Sequence, residues 1–155
     1  MGKFSIISYL GLALTQVQLY AVYLSQNSTT LAEPLYILPT SSNPFVRLTI
    51  AQELRRAAEN ELLKFSTVID AADIYRQAAE ALTALEAALG GDTWFFGAEK
   101  PGILDATVFS YTHLLMDDAL GKGWVDTRLR DALLSQKNLA SHRNRILTSY
   151  FPDYA

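Results

Sequence analysis

A chain of 155 residues with no cysteine excludes a disulfide framework, thiolate zinc or iron–sulfur ligation and a thiol nucleophile. At this length a single core can bury about 70% of the unfolded surface, so no covalent staple is needed. With 13 basic and 16 acidic residues the net charge is −3, which leaves no electrostatic footprint for nucleic acid.

From Phe4 to Ala32 there is no charged residue. Ten Phe, Ile, Leu or Val residues lie between Phe4 and Leu24, and together they favour bilayer insertion by roughly 3 to 6 kcal/mol. Against a membrane span stand Ser5, Ser8, Gly11, Thr15, Gln16 and Gln18. Ile7, Leu10, Leu14, Val17, Ala21 and Leu24 form one helical stripe, and Ser8, Gly11, Thr15, Gln18 and Ser25 form a second beside it. Two neighbours of different chemistry are implied, so we expect a buried core helix, with a single span over residues 4–24 as the alternative. A lone basic residue, Lys3, and no small-residue cleavage pattern argue against a signal peptide, and the residues after Gly2 do not form a myristoylation motif.

Residues 26–43, with Pro34, Pro39 and the apolar patch from Leu35 to Leu38, are expected to form a loop that tucks some side chains inward. Asn27-Ser28-Thr29 is formally a glycosylation sequon, but such triplets are common by chance. Asn43-Pro44 is a helix start, with Ile50, Leu54, Ala58, Leu62 and Phe65 on one face; Arg55 with Glu59, and Glu61 with Lys64, supply surface pairs. Asp70 and Asp73 open a helix whose stripe is Ile74, Ala78, Ala81, Leu82, Leu85, Ala88 and Leu89, ended by Gly90-Gly91.

The central stretch, Trp94 to Leu115, reads WFFGAEKPGILDATVFSYTHLL. Trp94, Phe95 and Phe96 make an aromatic knot, Gly97 breaks the chain, and Pro101-Gly102 turns it into a helix. Gly102 takes the N-cap position. Asp105, three residues later, reaches back to the cap N–H and faces the positive end of the helix dipole. A cap of this kind predicts a loss of about 1 to 2 kcal/mol on Asp105→Ala. Leu104, Val108, Tyr111 and Leu115 share one face, with Phe109 and Met116 beside it. Gly121-Lys122-Gly123 then closes the helix, Asp126 or Thr127 caps a brief one carrying Leu129 and Leu133, and a last helix runs from Leu139 to Tyr150 before Pro152. About six helices and no strand pair make this an all-α bundle.

No catalytic set emerges. His113 and His142 lack the spacing of a helical zinc site, and His113 reads as a hydrogen-bonded or partly exposed helix residue. Asp117 and Asp118 are adjacent and do not face each other. Neither a nucleophile elbow nor a phosphate-binding glycine loop is present. Catalytic, cofactor-binding and metal-binding residues are all assigned as none.

The aromatic-Phe-Gly element, Pro101, and Asp105-Ala106 opening a buried helix resemble the capping motif of the all-helical C-terminal half of glutathione transferases. Transferases usually carry Ser or Thr where this chain has Gly102. Joined to NLASHRNRILTSYFP (Asn138 to Pro152) and LYAVYLS (Leu19 to Ser25), the motif resembles metaxins and their fungal relatives in the mitochondrial sorting and assembly machinery. The resemblance implies one glutathione-transferase C-terminal-like helical domain over residues 1–155, the C-terminal portion of a longer protein. It further implies a non-enzymatic subunit, peripheral on the cytosolic face of the mitochondrial outer membrane and closest to the smaller fungal subunit. Its expected partners are the central β-barrel subunit, a second metaxin-like subunit and β-barrel precursors. The alternative of another class is the helical half of an active transferase, its substrate wall lined by Tyr9, Tyr111 and Leu115. That reading lacks the thiol-activating domain: no βαβ pattern follows Tyr9, which reads as a helix-face aromatic.

Overall fold

The computed structural model describes residues 3–117 and 123–154. The expected helix closure at Gly121-Lys122 and the residue Asp118 lie outside the described residues, as do Met1, Gly2 and the side chains of residues 3–7, Ile7 among them. The fold is all-α, with six α-helices among the described residues and no strand.

Helix α1 (Lys3–Leu19) runs into a wider π-helical turn, Tyr20–Leu24, ended where the Ser25 amide donates to the Tyr20 carbonyl at 2.9 Å. Leu10, Leu14, Val17 and Ala21 of the expected apolar stripe are buried, joined by Ala13 and Val22, while Leu24 is half-buried. The polar stripe has a different neighbour: the hydroxyls of Thr15 and Tyr111 lie 2.7 Å apart, and Gln18 Nε2 donates to the Tyr111 carbonyl. The uncharged run beyond Lys3 therefore lies largely between other helices, with Ser8 and Tyr9 exposed. No helix among the described residues is long and apolar enough to cross a membrane, so the alternative of a span over residues 4–24 gains no support.

Residues 28–37 depart from the loop expectation. Ser28–Ile37 is a second π-helical segment with Pro34 inside it, closed by the Leu38 amide on the Glu33 carbonyl at 2.9 Å. Pro34 has no N–H, and its ring crowds the carbonyl four residues back, so an ordinary α-helical ladder fails here while a wider turn is tolerated. The inward-facing side chains are Leu31, Ala32 and Ile37.

Helix α2 (Pro44–Leu62) starts as expected, Asn43 Oδ1 accepting from the Phe45 amide at 2.9 Å. Its expected stripe is buried only at the C-terminal end. Ala58 and Leu62 are buried, Ile50 and Leu54 half-buried, and Phe65 lies beyond the helix end with its side chain exposed. Arg55 and Glu59 pair at 3.0 Å, and Lys64 pairs with Glu61, both on the surface.

Helix α3 (Ala71–Leu89) is the central element. Asp70 Oδ1 accepts from the Ala72 and Asp73 amides, and Asp73 turns forward to Arg76 and Gln77. Ala78, Ala81, Leu82, Leu85 and Leu89 are buried, Ile74 packs at the edge and Ala88 faces solvent. Each fully buried leucine contributes about 1.5 to 3 kcal/mol of transfer free energy. Gly90, with φ of 53°, ends the helix in a conformation that favours glycine.

Helix α4 (Ile103–Met116) follows the central turn, α5 is Arg128–Leu134, and α6 is Lys137–Tyr150. The last helix begins two residues before the expected Leu139 because Glu86 of α3 caps it from a distance. Its two carboxylate oxygens accept from the Asn138 and Leu139 amides, each at 2.9 Å. Helix α3 packs against α1, α5 and α6, and α4 packs against α5 and α6; α2 rests mainly on the two π-helical segments.

Candidate functional site

Asp105 makes three hydrogen bonds in the interior. It is 2% exposed. Oδ2 accepts from the Gly102 amide at 2.8 Å, the reach-back to the N-cap, while Oδ1 accepts from the Phe95 amide at 3.1 Å and from His142 Nε2 at 2.8 Å. One carboxylate thus ties the start of α4 to the aromatic turn and to the last helix. The His142 ring lies edge-on to Trp94 and Phe95, with centroids at 5.8 and 5.4 Å, and its Nδ1 finds no partner among the described residues.

The three rings of the knot separate. Trp94 and Phe95 are buried, whereas Phe96 adopts a positive φ of 65°, unusual for a residue with a side chain, and is 55% exposed. Gly97 follows with φ of 66°. Pro101 closes the turn before Gly102. The Arg145 guanidinium covers Trp94 and donates to the Thr93 carbonyl at 2.6 Å.

A second polar junction lies at the sequon residue. Asn27 is fully buried: Oδ1 accepts from the Val125 and Asp126 amides at 2.8 Å each, and Nδ2 donates to the Asp126 carbonyl at 3.2 Å. Beside it, Thr30 Oγ1 donates to the Gly123 carbonyl, and a Cβ at Gly123 would meet Leu31 at 2.5 Å. Only glycine allows this approach. Asp126 also accepts from the Tyr75 hydroxyl at 2.9 Å and pairs with Arg128, which lies 3.9 Å from the Tyr75 ring centroid. The hydrogen bonds from Arg128 hold the Asp126 carboxyl below its ordinary range, and burial raises the Tyr75 hydroxyl well above its own. Thr127 occupies the N-cap of α5, but the side-chain oxygen meeting the Arg128 amide belongs to Asp126.

Two other sequence candidates occupy separate places. His113 stacks on Phe109 at 5.1 Å, its Nδ1 meets Arg143 at 3.0 Å, and Asp117 lies 3.7 Å from Nε2. Burial first, then the Arg143 charge, lower its pKa against the opposing pull of Asp117. Tyr9 is 50% exposed on α1, Leu115 is buried and Tyr111 bonds to Thr15, so these three do not line one cavity. Among the described residues no group of three or more His, Cys, Asp or Glu is placed to hold a metal.

An apolar cleft of about 510 Å³ lies elsewhere, between α2 and the Ser28–Ile37 segment, lined by Tyr23, Ala32, Ile37, Leu48, Ala51 and Leu54 among others. At one end of it, the turn from residue 35 into α2 leaves Leu35, Tyr36, Leu38, Phe45, Val46 and Leu48 exposed, Phe45 at 79%. Sequence reasoning missed this surface, and it missed the roles of His142 and Asn27. The signal for His142 was its place on the face shared by Leu139 and Ile146; for Asn27 there was none.

The all-α fold, with buried Asp105 at the start of the helix after an aromatic turn, resembles the C-terminal domain of glutathione transferases. Residues 78–146 match the family model described as the glutathione S-transferase C-terminal domain. The chain is also similar to metaxin-1: 41% identical over 80 residues to the proteins from Macaca fascicularis and Homo sapiens, and 40% to that from Sus scrofa. The similarity covers 52% of this chain, 24% of the macaque and pig proteins and 16% of the human one, so the chain spans about a quarter or less of these relatives.

Proposed function

We propose that this chain is the helical domain of a metaxin-like subunit of the mitochondrial sorting and assembly machinery, working by binding and not by catalysis. The observation that carries the reading is the similarity to metaxin-1 over the region that includes a glutathione-transferase-like C-terminal domain. In this proposal residues 1–155 are one domain, the C-terminal portion of a longer protein. In this reading it is peripheral on the cytosolic face of the outer membrane and corresponds to the smaller fungal subunit of the machinery. It holds the central β-barrel subunit and a second metaxin-like subunit, and it assists insertion of β-barrel precursors. The interior polar groups support a scaffold role, since the carboxylate of Asp105 and the amide of Asn27 are both occupied by structural hydrogen bonds.

Affinity purification of the tagged chain from mitochondria in mild detergent tests this. Stoichiometric recovery of an outer-membrane β-barrel and a second metaxin-like protein is expected. Retention on immobilised glutathione with no such partner would overturn the reading in favour of a transferase half.

A further inference from the structure

We propose that the turn leading into α2, with Phe45 at its tip, is an interfacial anchor that seats in the headgroup region of a lipid bilayer. Three observations point to lipid. The first is concentration: Leu35, Tyr36, Leu38, Phe45, Val46 and Leu48 are all exposed within fourteen residues, between 39% and 79%. Arg47 binds the two segments into one surface, its guanidinium donating to the Ser41 and Leu38 carbonyls.

The second is charge complementarity. The whole chain carries 16 acidic residues, yet residues 34–52 contain none, and Arg47 is the single charged side chain there. Anionic headgroups repel carboxylates and attract a juxtaposed arginine, so this segment meets no charge repulsion at an anionic bilayer. The third is shape. Phe45 stands out from the first turn of a helix, with Tyr36 on the neighbouring segment suited to the headgroup level by its apolar ring and polar tip. A protruding aromatic with an aliphatic collar inserts into a soft medium.

This deepens the peripheral-membrane element of the proposed function and rests on it for which membrane is met. Protein-free vesicles contain no assembly subunit, so their result is separable from the affinity purification.

The test is flotation of the full chain with vesicles of equal parts phosphatidylcholine and phosphatidylserine, alongside Phe45→Trp as an emission reporter. Trp94 and Trp124 are 8% and 5% exposed, so their emission should stay fixed while the new tryptophan shifts to the blue on vesicle addition. Phe45→Asp combined with Leu48→Asp should lower vesicle partitioning about tenfold or more. Ile103→Asp, at a residue 88% exposed on α4, should leave it unchanged. Far-UV circular dichroism confirms that each variant is folded. A wild-type chain left in the aqueous fraction, an unshifted Phe45→Trp, or a double variant that floats like wild type would each overturn the anchor. Binding to outer-membrane vesicles that trypsin treatment abolishes, with none to pure lipid, would assign the surface to a protein and equally refute it.

Discussion

Helices α2 and α3 have the same length, 19 residues each, yet α3 buries five side chains and α2 buries two. The residues that differ are not less apolar, since Phe45, Val46 and Leu48 of α2 are large and exposed where Leu82, Leu85 and Leu89 of α3 are enclosed. Helix α3 has α1, α5 and α6 around it, whereas α2 leans on two π-helical segments. Several large apolar side chains gathered uncovered at the start of one helix mark where contact with something else is available. The polar junctions only partly follow this division: Asp105 with His142, and Glu86, serve the helices from α3 onward, while buried Asn27 ties the start of the Ser28–Ile37 segment to the turn before α5.

The contrast can be broken from the rigid side. Asp105→Ala leaves the Phe95 and Gly102 amides and His142 Nε2 without their acceptor, so we expect a loss of about 3 to 5 kcal/mol, more than a cap alone would give. An unchanged denaturant midpoint would refute the junction. Next in size, Asn27→Ala removes three buried hydrogen bonds between the first third of the chain and the turn before α5, for about 2 to 3 kcal/mol in the same measurement.

A smaller effect should come from His113. Its pKa in the fold is below the ordinary 6.5, so the unfolded chain binds the proton more readily. The associated stability is present above pH 6.5 and is lost as pH falls through that value toward the folded pKa. His113→Gln should flatten this part of the stability–pH curve, and a curve of unchanged slope would show that other groups set it. The smallest change is expected on the open side, where Phe45→Asp should alter stability by no more than about 0.5 kcal/mol. A larger loss in thermal melts would mean that Phe45 is packed in solution.

The legible parts of the fold are those decided within a few residues. Asn43-Pro44, Asp70, and Asp105 behind Gly102 are local caps, and the spacing from Ala78 to Leu89 is a local period. What escaped was decided at a distance. His142 meets Asp105 across 37 residues, and Asn27 meets Val125 and Asp126 across about a hundred, with no periodic trace in between. Pro34 gave the opposite error, because a proline that breaks an α-helix is compatible with a π-helical segment. The stripe of α2 was legible as a pattern, but periodicity cannot say whether a neighbour covers it.

Native-state hydrogen exchange resolved by residue tests the contrast most directly. Amides of Ala81 to Leu89 and Val108 to Leu115 should exchange only through global unfolding, while those from Leu48 to Leu54 should open at a free energy several kcal/mol lower. Equal protection in the two sets would contradict the account, because α2 would then belong to the same cooperative unit as the core.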